Sequence, residues 1–125
     1  MRVLRRDELG ALARLNAYVF AKPDPARVQA WLESMPPKSW SAKGAFVKGA
    51  LAGTLWTRHY TMRANGRDLA LAAIAGVGTD PEYRRRGLLR RLITDECMAM
   101  RARGQHVAAL WASQAAIYQR YGFGT

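Results

Sequence analysis

With 125 residues, half of them hydrophobic, the chain has room for one compact domain, 1–125, built on one core, and is too apolar for a disordered segment. Twenty Lys plus Arg against nine Asp plus Glu give a net charge of +11, which suits an anionic partner: nucleic acid, an acidic membrane surface or a polyphosphate cofactor. A single cysteine, Cys97, excludes an intrachain disulfide and fits a reducing, cytoplasmic setting. The charged Met1–Gly10 stretch argues against a secretory signal, and the longest apolar run, Leu69–Val77, falls far short of the roughly 20 residues a bilayer crossing needs, which argues against a membrane role.

In chain order, Val3 and Leu4 read as a short strand and Asp7 as the N-cap of a first helix, with Leu9, Leu12, Leu15 or Asn16, and Val19 on one stripe. Pro23-Asp24-Pro25 ends that helix and starts a second, whose apolar face is Val28, Trp31 and Leu32, and Pro36-Pro37 closes it. Gly44–Lys48 and Leu51–Thr61 read as strands joined at Gly49, and Asn65-Gly66 is a strong hairpin signal leading into a third strand over about 68–79. That third strand is apolar and rich in Ala and Gly, as a central strand approached closely by backbone or ligand would be. Leu89, Leu92, Ile93, Cys97 and Met100 then repeat at helical spacing up to Gly104. His106–Ala112 reads as a strand, and Gln114–Tyr121 as a last short helix.

The informative segment lies between the apolar strand and the amphipathic helix: Tyr83-Arg84-Arg85-Arg86-Gly87-Leu88-Leu89-Arg90-Arg91. A helix N-terminus presents unpaired N–H groups and the positive end of the helix dipole, and Gly87 lets an anion approach the backbone. Arginines there add forked, charge-assisted donors for phosphate oxygens. Five arginines in eight residues can also be a solvated basic face, but the preceding strand and the placement of Gly87 favour phosphate binding. No helix-turn-helix, zinc-finger or RNP pattern accompanies the arginines, which argues against nucleic acid.

Arg84, Arg85, Arg86, Gly87, Leu88 and Leu89 resemble the acetyl-CoA signature of the GNAT superfamily, with Leu89 where Gly or Ala is usual. The run Arg-Arg-Arg-Gly-Leu-Leu-Arg, together with Pro81, Ala108-Ala109-Leu110, Ala112-Ser113 and Ile117–Gly124, resembles the Eis-type branch over about 77–124. This resemblance implies an α/β (α+β) GNAT fold: a mixed, mostly antiparallel sheet flanked by helices, whose last strands are missing here or supplied by a partner, as in a homo-oligomer. It further implies acetyl-CoA as cofactor, with its pantetheine arm along Val77, Gly78 and Thr79, and a backbone N–H, that of Val77, polarising the thioester carbonyl. Gly76 and Gly78 would leave room for it, or simply mark a bulge.

By the same resemblance Tyr118 is the general acid that protonates the departing thiolate, with Tyr121 as its control. No general base stands out: His59 and His106 read as structural, and Glu82 is expected to pair with the arginines. Trp31, Trp40, Trp56 and Trp111 are partly core and partly candidates for an acceptor pocket, Trp56 first among them, while Cys97 reads as an inert buried thiol. The acceptor implied is a primary amine of a small molecule, aminoglycoside- or polyamine-like, although a +11 chain repels polycations unless its carboxylates cluster. A different class also fits the residues: a non-catalytic CoA-binding or subunit-interaction module.

Overall fold

The computed structural model describes residues 1–124. Strands β1 (Arg2–Val3), β2 (Trp40–Val47), β3 (Ala50–Ala64), β4 (Arg67–Thr79) and β5 (Val107–Leu110) form one sheet in sequence order. Every neighbouring pair is antiparallel except β4 and β5, which run parallel. Helices α1 (Leu9–Val19) and α2 (Pro25–Ser34) precede β2, α3 (Leu88–Ala102) makes the crossover from β4 to β5, and α4 (Ala115–Gln119) follows β5. The mixed, mostly antiparallel sheet with helices is thus the expected architecture.

Local chemistry explains the boundaries. Lys48-Gly49 and Asn65-Gly66 each hold two successive residues at positive φ, the backbone of a tight hairpin whose twist matches its strands. Asp24 caps α2, accepting from the N–H groups of Ala26 at 3.0 Å and Arg27 at 3.4 Å. Two boundaries depart from the sequence reading. Asp7 does not cap α1: the Glu8 carboxylate accepts from Arg5 N–H at 2.7 Å and pairs with Arg2, so Arg6–Glu8 form a 3-10 turn and α1 starts at Leu9. The second strand starts at Trp40, four residues earlier than Gly44, because Trp40 through Lys43 pair with Arg58 through Leu55.

Strand alternation divides the core in two. Ala42 and Trp56 face α1 and α2, packing with Leu9, Leu12, Ala13 and Leu32. Ala45 and Leu55 face the other way, against Leu88, Leu92 and Ile93 of α3. A buried ionic group lies on this second side: Glu96, fully buried, accepts from Thr57 Oγ1 at 2.9 Å and from the Arg103 guanidinium at 2.6 Å. Lys43 Nζ lies 3.1 Å from the other Glu96 oxygen, at an angle poor for a hydrogen bond, and donates to Asp95 Oδ2 at 2.7 Å. The network extends through Gln105, which accepts from Arg103 Nε and meets His59 Nδ1, both at 2.9 Å. Glu96 continues the stripe of Leu88, Leu92 and Met100 at four-residue spacing, a buried carboxylate in a row otherwise apolar.

Candidate active site

β4 changes phase at its C-terminal end. Trp56 pairs with Ala75 and Thr54 with Gly78, so Gly76 and Val77 both oppose Leu55: a β-bulge. Before it, Ala72 and Ile74 face Met100 of α3; after it, Val77 does so in their place, packing on the α3 side of the core. Gly76 adopts φ +58, and its carbonyl accepts from Thr54 Oγ1 at 3.2 Å. The glycines do not leave their Cβ sides open as anticipated. A Cβ on Gly76 would lie 2.2 Å from the Trp56 ring, and one on Gly78 3.1 Å from Val19, so those spaces belong to neighbouring side chains.

The opening lies along the strand edge. The parallel ladder runs from Leu71↔Val107 only to Ile74↔Leu110, whereas β4 continues to Thr79. Among the described residues, Ala75 through Thr79 therefore have strand neighbours on the β3 side alone, and their outer edge can accept an extended, hydrogen-bonding chain.

At the end of that edge the chain turns into the arginine loop. Asp80 caps a 3-10 turn, Pro81–Tyr83, by accepting from Glu82 N–H at 3.0 Å. Arg85 and Gly87 then adopt left-handed backbone, φ +63 and +74, and α3 starts. Its first ladder bond is Arg91 N–H to Gly87 O at 3.1 Å, which leaves the preceding turn's N–H groups, Leu88 through Arg90, pointing out of the helix. A Cβ on Gly87 would meet nothing within 4 Å, so it is φ that requires glycine there, and the space over it is open.

Arg84, Arg85, Arg86, Arg90 and Arg91 are exposed, and among the described residues none has a carboxylate within 4.0 Å. Glu82 does not pair with them; its neighbour Asp80 has turned it into the 3-10 turn. Unpaired N–H groups, the helix dipole and five unpaired guanidinium groups are together the donor set that a pyrophosphate requires, so the residues present fit coenzyme A. Leu88 is buried and Leu89 half-buried against the α3 side of the core, so the larger residue at Leu89 is absorbed by packing.

Tyr118 reaches the same apolar cluster as Val77, Leu88 and Leu89, and stacks edge-on against Phe123 with ring centroids 6.1 Å apart. Partial burial, reinforced by Tyr121, raises its pKa, so the phenol stays protonated at neutral pH and can donate. Tyr121 packs on the same cluster. Burial, then the proximity of Glu96, likewise raises the Cys97 thiol, in keeping with an unreactive side chain.

Beside the bulge, on the α1–α2 side, lies a cavity of about 610 Å³, lined by Asn16, Phe20, Lys22, Pro23, Asp24, Arg27, Val28, Trp31, Trp56 and Gly76. Trp56, expected at a pocket, is there, joined by Trp31, while Trp40 packs into the core and Trp111 is fully exposed. Neither histidine lines it. His59 bonds Gln105 on the α3 side, where burial and then Arg103 lower its pKa, and His106 lies near Cys97 and Tyr121. Sequence reasoning missed Asn16, Lys22, Asp24 and Arg27 as cavity residues. Asp24 was visible only as a cap, and nothing in a linear pattern turns the α1–α2 junction toward β4.

Among the described residues there is no group of three metal-ligating side chains, and no helix is long and apolar enough to cross a membrane. Over residues 1–125 the chain matches the family model described as an acetyltransferase (GNAT) domain. An uncharacterized N-acetyltransferase of Streptomyces griseus is 40% identical over 84 residues, which is 66% of this chain and 20% of that protein. The chain therefore spans about a fifth of the length of the curated relatives it matches first. Among solved structures, Eis1 of Mycobacterium abscessus superposes with a TM-score of 0.79 at 30% identity, covering 98% of this chain and 31% of Eis1. A predicted acetyltransferase of Clostridium acetobutylicum, solved with acetyl-CoA, superposes with a TM-score of 0.85 at 14% identity, covering 99% of this chain and 88% of that one. A match along the whole chain, on a strand edge and helix N-terminus built in this way, places the protein in the GNAT acetyltransferase family, whose acyl donor is acetyl-CoA.

Proposed function

We propose that this domain transfers the acetyl group of acetyl-CoA directly to a primary amine of a small molecule. The observation that carries this reading is the strand edge 75–79, left without a β5 partner and ending at an arginine-lined helix N-terminus. Acetyl-CoA supplies a thioester whose carbonyl carbon the amine attacks, so that a C–N bond forms and the C–S bond breaks. Arg84, Arg85 and Arg86, with the N–H groups around Gly87, Leu88 and Leu89, hold the pyrophosphate, and the backbone of Val77, Gly78 and Thr79 pairs with the pantetheine arm. The Val77 N–H donates to the carbonyl oxygen as negative charge develops on it. Tyr118 donates its proton to the departing sulfur. The amine enters through the cavity floored by Gly76, one residue from Val77, where Asp24 is the carboxylate at hand to take up its ammonium proton.

The Eis resemblance nominates aminoglycoside- or polyamine-like acceptors. The half-buried Cys97 supports a reducing, cytoplasmic setting, and the exposed Trp111 after the edge strand β5 supports homo-oligomer formation, which sedimentation at several concentrations tests.

Thermal stabilisation by acetyl-CoA tests donor binding: a saturable shift is expected in the parent and not in Arg85→Ala/Arg86→Ala, and it should shrink as salt rises. Thiol release with an amine panel tests transfer. Tyr118→Phe should slow it by about 100-fold or more, and Tyr121→Phe should change it little. Stabilisation by acetyl-CoA without release from any amine would overturn transfer and leave a CoA-binding module.

A further inference from the structure

The α1–α2 cavity carries information about its occupant beyond being an opening. Its walls are flat and apolar: the Trp31 and Trp56 rings, centroids 6.0 Å apart and tilted by 57°, with Phe20, Pro23 and Val28. Trp31 is nearly half exposed although it sits on the inner face of α2, because its ring borders the cavity. The charged residues of the lining are Lys22, Arg27 and Asp24, two cations against one anion, on a chain whose net charge is already +11. One oxygen of Asp24 is further engaged by the α2 backbone. In the cavity lining Asn16 is only 6% exposed, and its side-chain amide makes no hydrogen bond among the described residues yet is not sealed off, so its polar atoms are reachable from the cavity.

We infer that the cavity selects an aromatic monoamine bearing a hydrogen-bonding group, and discriminates against polycations. A planar ring can lie against the exposed indole of Trp31 and the neighbouring apolar wall and gains by leaving water. A hydroxyl or carbonyl on the ligand can bond the Asn16 amide, and an analogue that covers the amide without bonding it is penalised. A single amine can be matched by Asp24, whereas each further ammonium meets Lys22 and Arg27. This deepens the transferase reading and rests on the cavity being the acceptor site, and it narrows the acceptors away from aminoglycosides and polyamines.

The test uses tyramine, phenethylamine and spermidine with the 125-residue chain, read by calorimetric titration without donor and by thiol release with acetyl-CoA. Tyramine is expected to bind at least about tenfold more tightly than spermidine, and Trp31→Ala should remove about tenfold of that affinity while leaving the acetyl-CoA stabilisation in place. Asn16→Ala should weaken tyramine more than phenethylamine, a difference that a merely structural role of Asn16 would not produce. Tyramine binding lost in Trp31→Ala but giving no thiol release would uphold the cavity's selectivity and overturn acetyl transfer. Spermidine binding as tightly as tyramine, or tyramine binding unchanged in Trp31→Ala, would overturn the selectivity whether or not an acetyl group moves.

Discussion

The two faces of the sheet are built on different principles. On the α3 side the helix is fastened to β2 and β3 by apolar packing and by a buried carboxylate shared among Lys43, Thr57 and Arg103. On the α1–α2 side the packing is apolar but incomplete, with a cavity of about 610 Å³ between the helix pair and the bulged strand. The fastened face carries the helix whose N-terminus is proposed to hold the donor, and the open face offers space to an acceptor. On the proposed reading, position is fixed where a large anion would be oriented, and volume is kept where a substrate would enter and leave.

The largest expected effect would break this contrast. Removing one partner of a buried ion pair strands the others, so Glu96→Gln should cost about 3–5 kcal/mol in urea unfolding, while Trp31→Ala on the open face should cost about 1 kcal/mol or less. Equal costs would mean that the two faces do not differ in the way described.

A second pair of variants sharpens the contrast by making one change at two positive-φ glycines. Gly76→Ala must push its Cβ into the Trp56 ring as well as adopt left-handed backbone, for about 2–5 kcal/mol, whereas Gly87→Ala meets nothing and bears only the backbone term, about 1–2 kcal/mol. Midpoints of thermal unfolding should fall in that order, and a reversal would show that Gly76 is not held by Trp56.

Smaller still, Arg85 is a non-glycine residue at φ +63, so Arg85→Gly should raise stability by up to about 1 kcal/mol while weakening the acetyl-CoA thermal shift. Opposite signs in the two readouts would identify the strain as a cost of placing this guanidinium; a loss in both would contradict that.

The smallest effect is a pH dependence at the start of α1. The Arg2 guanidinium, and then Arg5 N–H, hold the Glu8 carboxyl down at about 2 from 4.5. Because the folded value lies below the unfolded one, its contribution is present above about 4.5 and is lost as pH falls toward 2. Glu8→Gln should therefore lower the neutral plateau of the stability profile slightly and flatten the acid limb, leaving stability near pH 2 almost unchanged.

Much of this could be read from residues in order. Asn65-Gly66, Lys48-Gly49, Asp24-Pro25 and Gly104 fix turns and helix ends because each specifies its own φ or its own hydrogen bond, and such interactions span only a few residues. The arginine loop was legible for the same reason: strand, glycine and helix are adjacent in sequence. Glu96 and Lys43 were not legible as a pair, since 52 residues separate Lys43 from Asp95 and only sheet register brings Lys43 beneath α3. Nor was the exact role of Gly76, whose neighbour Trp56 comes from the adjacent strand.

The sequence alone therefore determined the order of elements, the hairpins and the arginine loop before α3, all local consequences of backbone preference and hydrogen bonding. Tertiary structure decided the rest: where β5 stops pairing with β4, which way the bulge turns Val77, and that Asn16, Trp31 and Trp56 enclose one space. The physical reason is that register and facing are settled by packing between segments distant in the chain, which no short stretch of residues encodes by itself.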